Sequence, residues 1–195
     1  MKFKVATFVG VLALCASSAF AGNMWIGLNG GATIPQSDLS DISGTGYYAG
    51  GTFCLQVAKQ CGLGVDLNYH GLGSKTVSGV DLDAPTVFQG TVYGEYIIKM
   101  KSKGYPYIKA GLGMYAVDPK NSVDSKSKFG YNAGLGYNHP MNEKMSLGLD
   151  ASYHWITSDD SWAAPGESKP SLSVITVGLV LGWGIGGGGA PPATK

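Results

Sequence analysis

The sequence predicts an all-β chain, an eight-stranded antiparallel up-and-down transmembrane β-barrel, and three observations carry that reading. Eight stretches of about ten residues alternate apolar with small or polar residues, the period-two pattern of strands that present two different faces. The connections between them are alternately long and short, the loop asymmetry of outer-membrane barrels. After the N-terminal leader, no apolar run reaches the roughly 20 residues that a spanning helix needs.

At 195 residues the chain has the length of one domain. Its 31 glycines are about twice average usage, charged residues are only 14%, and the formal net charge is +1, which leaves no basic field for nucleic acid. Lys2 and Lys4 form a positive n-region, Val5 to Leu14 an apolar stretch, and Ala19-Phe20-Ala21 an A-x-A cleavage site. Residues 1–21 are therefore expected to be a cleaved signal peptide, 22–185 the barrel, and 186–195 a Gly/Pro-rich tail on the periplasmic side. Lipoprotein processing at Cys15 is the alternative, and Leu14 places a bulky residue where that route wants a small one.

Taken in order, the strands each separate two phases. Met24 to Ile34 sets Met24, Ile26 and Leu28 against Trp25 and Asn29; Gly46 to Val57 sets Phe53, Leu55 and Val57 against Thr52 and Gln56. Gly62 to His70 alternates Leu63, Val65, Leu67 and Tyr69 with Asp66, Asn68 and His70. Thr86 to Ile98 carries Gln89, Thr91 and Glu95 on its polar side, and Tyr105 to Ala116 opposes Ile108, Ala110, Leu112 and Met114 to Lys109. Lys128 to Asn138 holds Asn132 and Asn138 in the polar phase. Met145 to Ile156 opposes Leu147, Leu149, Ala151, Tyr153 and Trp155 to Ser146, Asp150, Ser152 and His154. Ser173 to Gly184 closes the set with Ile175, Val177, Leu179, Leu181 and Trp183. Eight is an even number, as a single-chain bacterial barrel requires.

Joining strands one to two, three to four, five to six and seven to eight takes about 11 to 16 residues, and the other joins about four to six. Long loops outside and short turns in the periplasm put both termini in the periplasm. The rival is a soluble lipocalin-like barrel with its apolar face inward. Aromatic placement argues against it: Tyr47, Tyr69, Phe88, Phe129, Tyr131, Tyr153 and Trp155 fall at the loop ends of the apolar face and Tyr96, Tyr137 and Trp183 at the turn ends. Aliphatic residues lie between these two girdles, the distribution a bilayer selects.

Pro106-Tyr107-Ile108-Lys109-Ala110-Gly111-Leu112-Gly113 resembles the Gly-rich fifth strand of the small eight-stranded outer-membrane proteins, the family that includes the membrane domain of OmpA, OmpX and the opacity-type proteins. Phe129-Gly130-Tyr131-Asn132-Ala133-Gly134-Leu135-Gly136 and Met145-Ser146-Leu147-Gly148-Leu149-Asp150 are similar to its sixth and seventh strands. The resemblance implies a bacterial outer-membrane location. It departs from the family at the end, where Trp183 is followed by the Gly-rich tail instead of closing the chain.

An eight-stranded interior is about wide enough for its own side chains. The inward phase carries Trp25, Tyr48, Tyr93, Tyr105, Tyr107 and Tyr115, with Gly64, Gly111, Gly134, Gly136 and Gly148 making room, so a plugged lumen with waters is expected. A register pairing Tyr96 with Ile108 also places Glu95 opposite Lys109 and predicts a lumenal salt bridge, with Asp66 and Asp150 nearby. These four charges either lock the interior or gate a narrow conduction path.

Chemistry finds little footing. Ser152, His154 and Asp150 share one strand face, yet neighbours two apart on a strand are about 6.5 to 7 Å apart, too far for the hydrogen bonds of a triad. His70, His139 and His154 lie on separate segments and read as ordinary strand-end histidines, with no metal-ligand spacing and no cofactor motif. Cys54 and Cys61 flank one short turn and are a candidate disulfide that strand parity disfavours. Among the loops, Asp159, Asp160 and Trp162 are the candidate recognition residues, since rigid scaffolds carry specificity on loops. The expected protein is a monomer that partners the lipid bilayer and lipopolysaccharide, with an extracellular partner reached through the loops. Its role is structural or in surface interaction; the alternative is a narrow porin-like channel for small solutes, with a lipid-modifying enzyme a distant third.

Overall fold

In the computed structural model the described residues are 24–77, 79–82, 85–118, 126–157 and 172–185. The signal peptide, the tail and the loop bearing Asp159, Asp160 and Trp162 lie outside them. The chain forms β1 (Met24–Ser37), α1 (Leu39–Ile42), β2 (Gly44–Ala58), β3 (Cys61–Gly73), β4 (Lys75–Val77), β5 (Val80–Leu82), β6 (Thr86–Ile97), β7 (Tyr105–Asp118), β8 (Lys126–Pro140), β9 (Met145–Ile156) and β10 (Leu172–Ile185).

Eight of these strands close a barrel in the order β1-β10-β9-β8-β7-β6-β3-β2, every pair antiparallel. Closure leaves no sheet edge, so the ladder satisfies the backbone polar groups without water. The expected register holds, with Tyr96 opposite Ile108 and Glu95 opposite Lys109.

The two faces are inverted relative to a soluble barrel. Outward side chains such as Leu28 and Leu135 are 62% and 63% exposed, whereas Asp66, Asn68, His70, Gln89, Asp150 and His154 are buried. The rival soluble carrier, which needs its apolar face inside, does not fit this arrangement. Rings gather where the girdle was expected: Tyr131 stacks on Trp155 at 5.3 Å, Tyr153 lies 4.3 Å from Trp155, and Tyr47 lies 6.5 Å from Tyr69.

Most strands run further toward the loop end than the apolar alternation predicts. β1 continues to Ser37, β3 to Gly73 and β7 to Asp118, while β8 begins at Lys126. Two further elements stand at that end, the one-turn helix α1 and the β4–β5 hairpin. Ser37, at φ 52, reverses the chain into α1, and Ser40 Oγ donates to its carbonyl at 2.7 Å. Gly79, at φ 81, turns the hairpin, a conformation glycine adopts without steric cost. Both elements escape a reading based on alternation, because each is too short to show a period.

Candidate functional site: the lumen

From the loop end to the turn end, the inward side chains form successive layers. At the loop end, Leu39 of α1 packs with Leu72, Val87, Val117, Ile156, Leu172 and Val174 in an apolar cluster that also includes Tyr115. Lys75 Nζ donates to the Ser40 carbonyl at 2.5 Å and ties the base of the hairpin to α1.

Beneath this cap lie two histidines that the sequence places on separate segments and treats as strand-end residues. The closed barrel brings their rings to 6.0 Å, edge to face, deep inside. His70 Nε2 meets Gln89 Oε1 at 2.9 Å, and the same oxygen accepts from Asn68 Nδ2 at 3.4 Å. Since that oxygen can only accept, His70 donates from Nε2, and its Nδ1 meets Thr33 Oγ1 at 3.1 Å. His154 follows the same logic. Thr176 Oγ1 donates to the Ser152 carbonyl at 3.4 Å and accepts from His154 Nε2 at 3.1 Å, while His154 Nδ1 meets the Tyr115 hydroxyl at 3.0 Å. Each imidazole thus has a partner at both ring nitrogens.

The charges occupy the next layer. Lys109 Nζ lies 3.0 Å from Asp150 Oδ2, 3.5 Å from Asp66 Oδ2 and 5.5 Å from the centre of the Tyr93 ring. Tyr107 donates to Asp150 Oδ2 at 2.7 Å and Ser152 to Asp150 Oδ1 at 2.9 Å. The lumen holds the expected four residues, but the predicted Glu95–Lys109 bridge is corrected. Glu95 instead accepts from Cys54 Sγ at 3.4 Å, while Lys109 bridges carboxylates on β3 and β9. The cause is closure, which makes residues on non-adjacent strands neighbours through the interior. Glycines clear the way: a Cβ at Gly136 would collide with the Tyr107 ring, and one at Gly64 with the Tyr93 ring.

Toward the turn end, Trp25, Cys54, Tyr93 and Val180 form a second apolar cluster. Both cysteines are free thiols, so the candidate disulfide is corrected as well. Cys54 faces inward opposite Gly64, whereas Cys61 opens β3 opposite Ala58 beside a register shift, and the two side chains never share a face. Contrary to the strand spacing, Ser152 does reach Asp150 two residues away and donates to it at 2.9 Å. His154 nevertheless spends both ring nitrogens on Tyr115 and Thr176, so the three do not form a nucleophilic relay.

The cavity among Asn29, Tyr48, Asn68, Lys109 and Asp150 measures about 20 Å³, room for about one water. Asn29 Oδ1 and Asn68 Oδ1 line it and have no protein partner among the described residues.

The family whose sequence pattern matches residues 6–182 is described as the outer membrane protein beta-barrel domain. The chain belongs to this family. It accordingly sits in the lipid bilayer of the bacterial outer membrane. A search of the curated proteins finds no match. Among solved structures, neisserial surface protein A is similar at 16% identity, with a TM-score of 0.63, covering 81% of this chain and 95% of that one. OprG from Pseudomonas aeruginosa is 16% identical, with a TM-score of 0.51 over 85% of this chain and 97% of its own. A major outer membrane protein from Thermus thermophilus is 12% identical, with a TM-score of 0.53 over 85% and 100%. At these identities the likeness concerns the fold.

Proposed function

We propose that this barrel serves a structural or surface-interaction role, with its interior acting as a sealed scaffold and its long loops, Asp159, Asp160 and Trp162 among them, meeting extracellular partners. The long loops then face outward, and the turns and both termini face the periplasm. One observation carries the reading: among the described residues, inward side chains pack against one another from end to end of the lumen, around a cavity of about 20 Å³ beneath an apolar cap. A hydrated ion path needs continuous polar lining, and the cap interrupts it.

A narrow channel is the second reading, favoured by Lys109, which lies between two carboxylates and controls the lumenal charge. Single-channel recording of the refolded mature chain in planar bilayers separates the two. The sealed scaffold predicts silence from wild type and from Lys109→Ala; reproducible conductance altered by that substitution establishes the channel.

A further inference from the structure

Among the described residues, the outer surface carries a concavity separate from the lumenal cavity. It lies near the turn end of the β3–β6–β7 wall, lined by Val57, Leu63, Gly94, Tyr96, Ile108 and Ala110, with a volume of about 420 Å³. Gly94 and Ala110 form its floor, because neither projects a side chain of any length. Leu63, Tyr96 and Ile108 are exposed around it, so in the membrane an apolar occupant must cover them.

The turns that adjoin this notch along the chain are basic. The β2–β3 turn contributes Lys59, and the β6–β7 turn contributes Lys99, Lys101 and Lys103, all exposed and with no acidic residue in either turn. Among the described residues, none of the four makes an ion pair. The two turns are fastened together at the notch. Ile97 N donates to the Gln60 carbonyl at 2.7 Å, and Gln60 Nε2 donates to the Ile97 carbonyl at 3.2 Å and to Tyr96 Oη at 3.1 Å. Gln60 thus holds Lys59 beside the strand end that leads into Lys99. The third turn differs, since Lys144 there is preceded by Glu143.

We propose that this corner is a binding site for an anionic phospholipid, with the phosphate held by Lys59, Lys99, Lys101 and Lys103 and one acyl chain lying in the notch over Gly94. Lysine stems cover apolar surface while their ammonium groups stay at the headgroup level, and basic residues next to a bilayer attract anionic lipid. The exposed Ile98 and Met100, on either side of Lys99, add apolar surface to the same turn. Assignment to the periplasmic leaflet rests on the orientation proposed above.

The test is native mass spectrometry of the detergent-solubilised mature chain with phosphatidylglycerol or phosphatidylcholine added. Wild type is expected to retain one phosphatidylglycerol with roughly tenfold preference, the scale that one or two lysines produce near an anionic surface. The triple variant Lys99→Gln/Lys101→Gln/Lys103→Gln and the variant Gly94→Leu should each lower retention about five- to tenfold. The nearest atom to a Cβ built at Gly94 is 3.8 Å away, so the leucine enters open space and the barrel keeps its heat-modifiable gel mobility. Lys144→Gln should change nothing. Equal retention of the two lipids, indifference to Gly94→Leu, or an equal loss in Lys144→Gln would overturn the site. Orientation is read separately with Ser102→Cys in a Cys61→Ser background: an impermeant maleimide should label it only in lysed cells. Labelling in intact cells would overturn the leaflet assignment whatever the spectra show.

Discussion

The middle of the barrel and its loop end use the same closed sheet in opposite senses. In the middle, Leu28, Leu112, Leu149 and Leu179 face outward while Asp66, Lys109, Asp150 and the histidines fill the interior. At the loop end, Leu72, Val87, Val117, Ile156 and Leu172 turn inward around Leu39, and outward neighbours such as Gln36, Asp118, Ser127 and Thr157 are polar. Between the two regions lie Tyr47, Tyr69, Phe88, Phe129, Tyr131 and Trp155, all exposed. The sheet geometry is common to both, so the surrounding medium sets the pattern. Where lipid surrounds the strands their outer face is apolar, and where water does, the barrel reverts to the apolar-core logic of a soluble protein. The aromatic girdle marks the change of medium.

The largest effect that tests this contrast is expected in the middle. Lys109→Ala leaves Asp66 and Asp150 uncompensated and should destabilise the barrel by about 3–5 kcal/mol, read as a lower denaturant midpoint for unfolding from lipid vesicles. A loss below about 1 kcal/mol would mean that water reaches and solvates the pair. At the loop end, Ile156→Ala opens a cavity in the cap and should cost about 2–5 kcal/mol in the same assay, the ordinary penalty of a soluble core. If it is neutral, the cap is not packed.

Charge scanning of the outer face locates the boundary between the regions. Leu112→Lys, in the aliphatic band, should cost about 2–4 kcal/mol. Gln36→Lys, beyond the girdle, should stay within about 0.5 kcal/mol of wild type. Equal costs at the two sites would erase the proposed change of medium. Between these extremes, Thr176→Val removes the acceptor for His154 Nε2 and should cost about 1–3 kcal/mol, the desolvation of one buried donor left without a partner.

How much of this was legible in the sequence follows from the range of each interaction. Strand parity is local, so alternation alone placed Asp66, Gln89, Lys109, Asp150 and His154 inside and Leu63, Ile108 and Leu149 outside. The turn between β6 and β7 is short, so its length and parity also set the Glu95–Lys109 register. α1 and the β4–β5 hairpin were not legible, because one turn of helix and three-residue strands are too brief to leave a period. The cap was missed for a related reason: Leu72, Val117 and Leu172 lie in or next to the polar phase, and only the end of the lipid band explains their reversal.

The sequence by itself thus determined the faces, the strand number and the neighbouring register, since each depends on residues close along the chain. Tertiary structure alone decided the lumenal partners. Lys109 lies opposite Glu95 in the ladder yet binds Asp66 and Asp150 from strands it does not pair with, Glu95 receives the Cys54 thiol, and His70 meets His154. Curling a sheet into a closed barrel brings opposite walls within side-chain reach, and no linear spacing encodes which of them will touch.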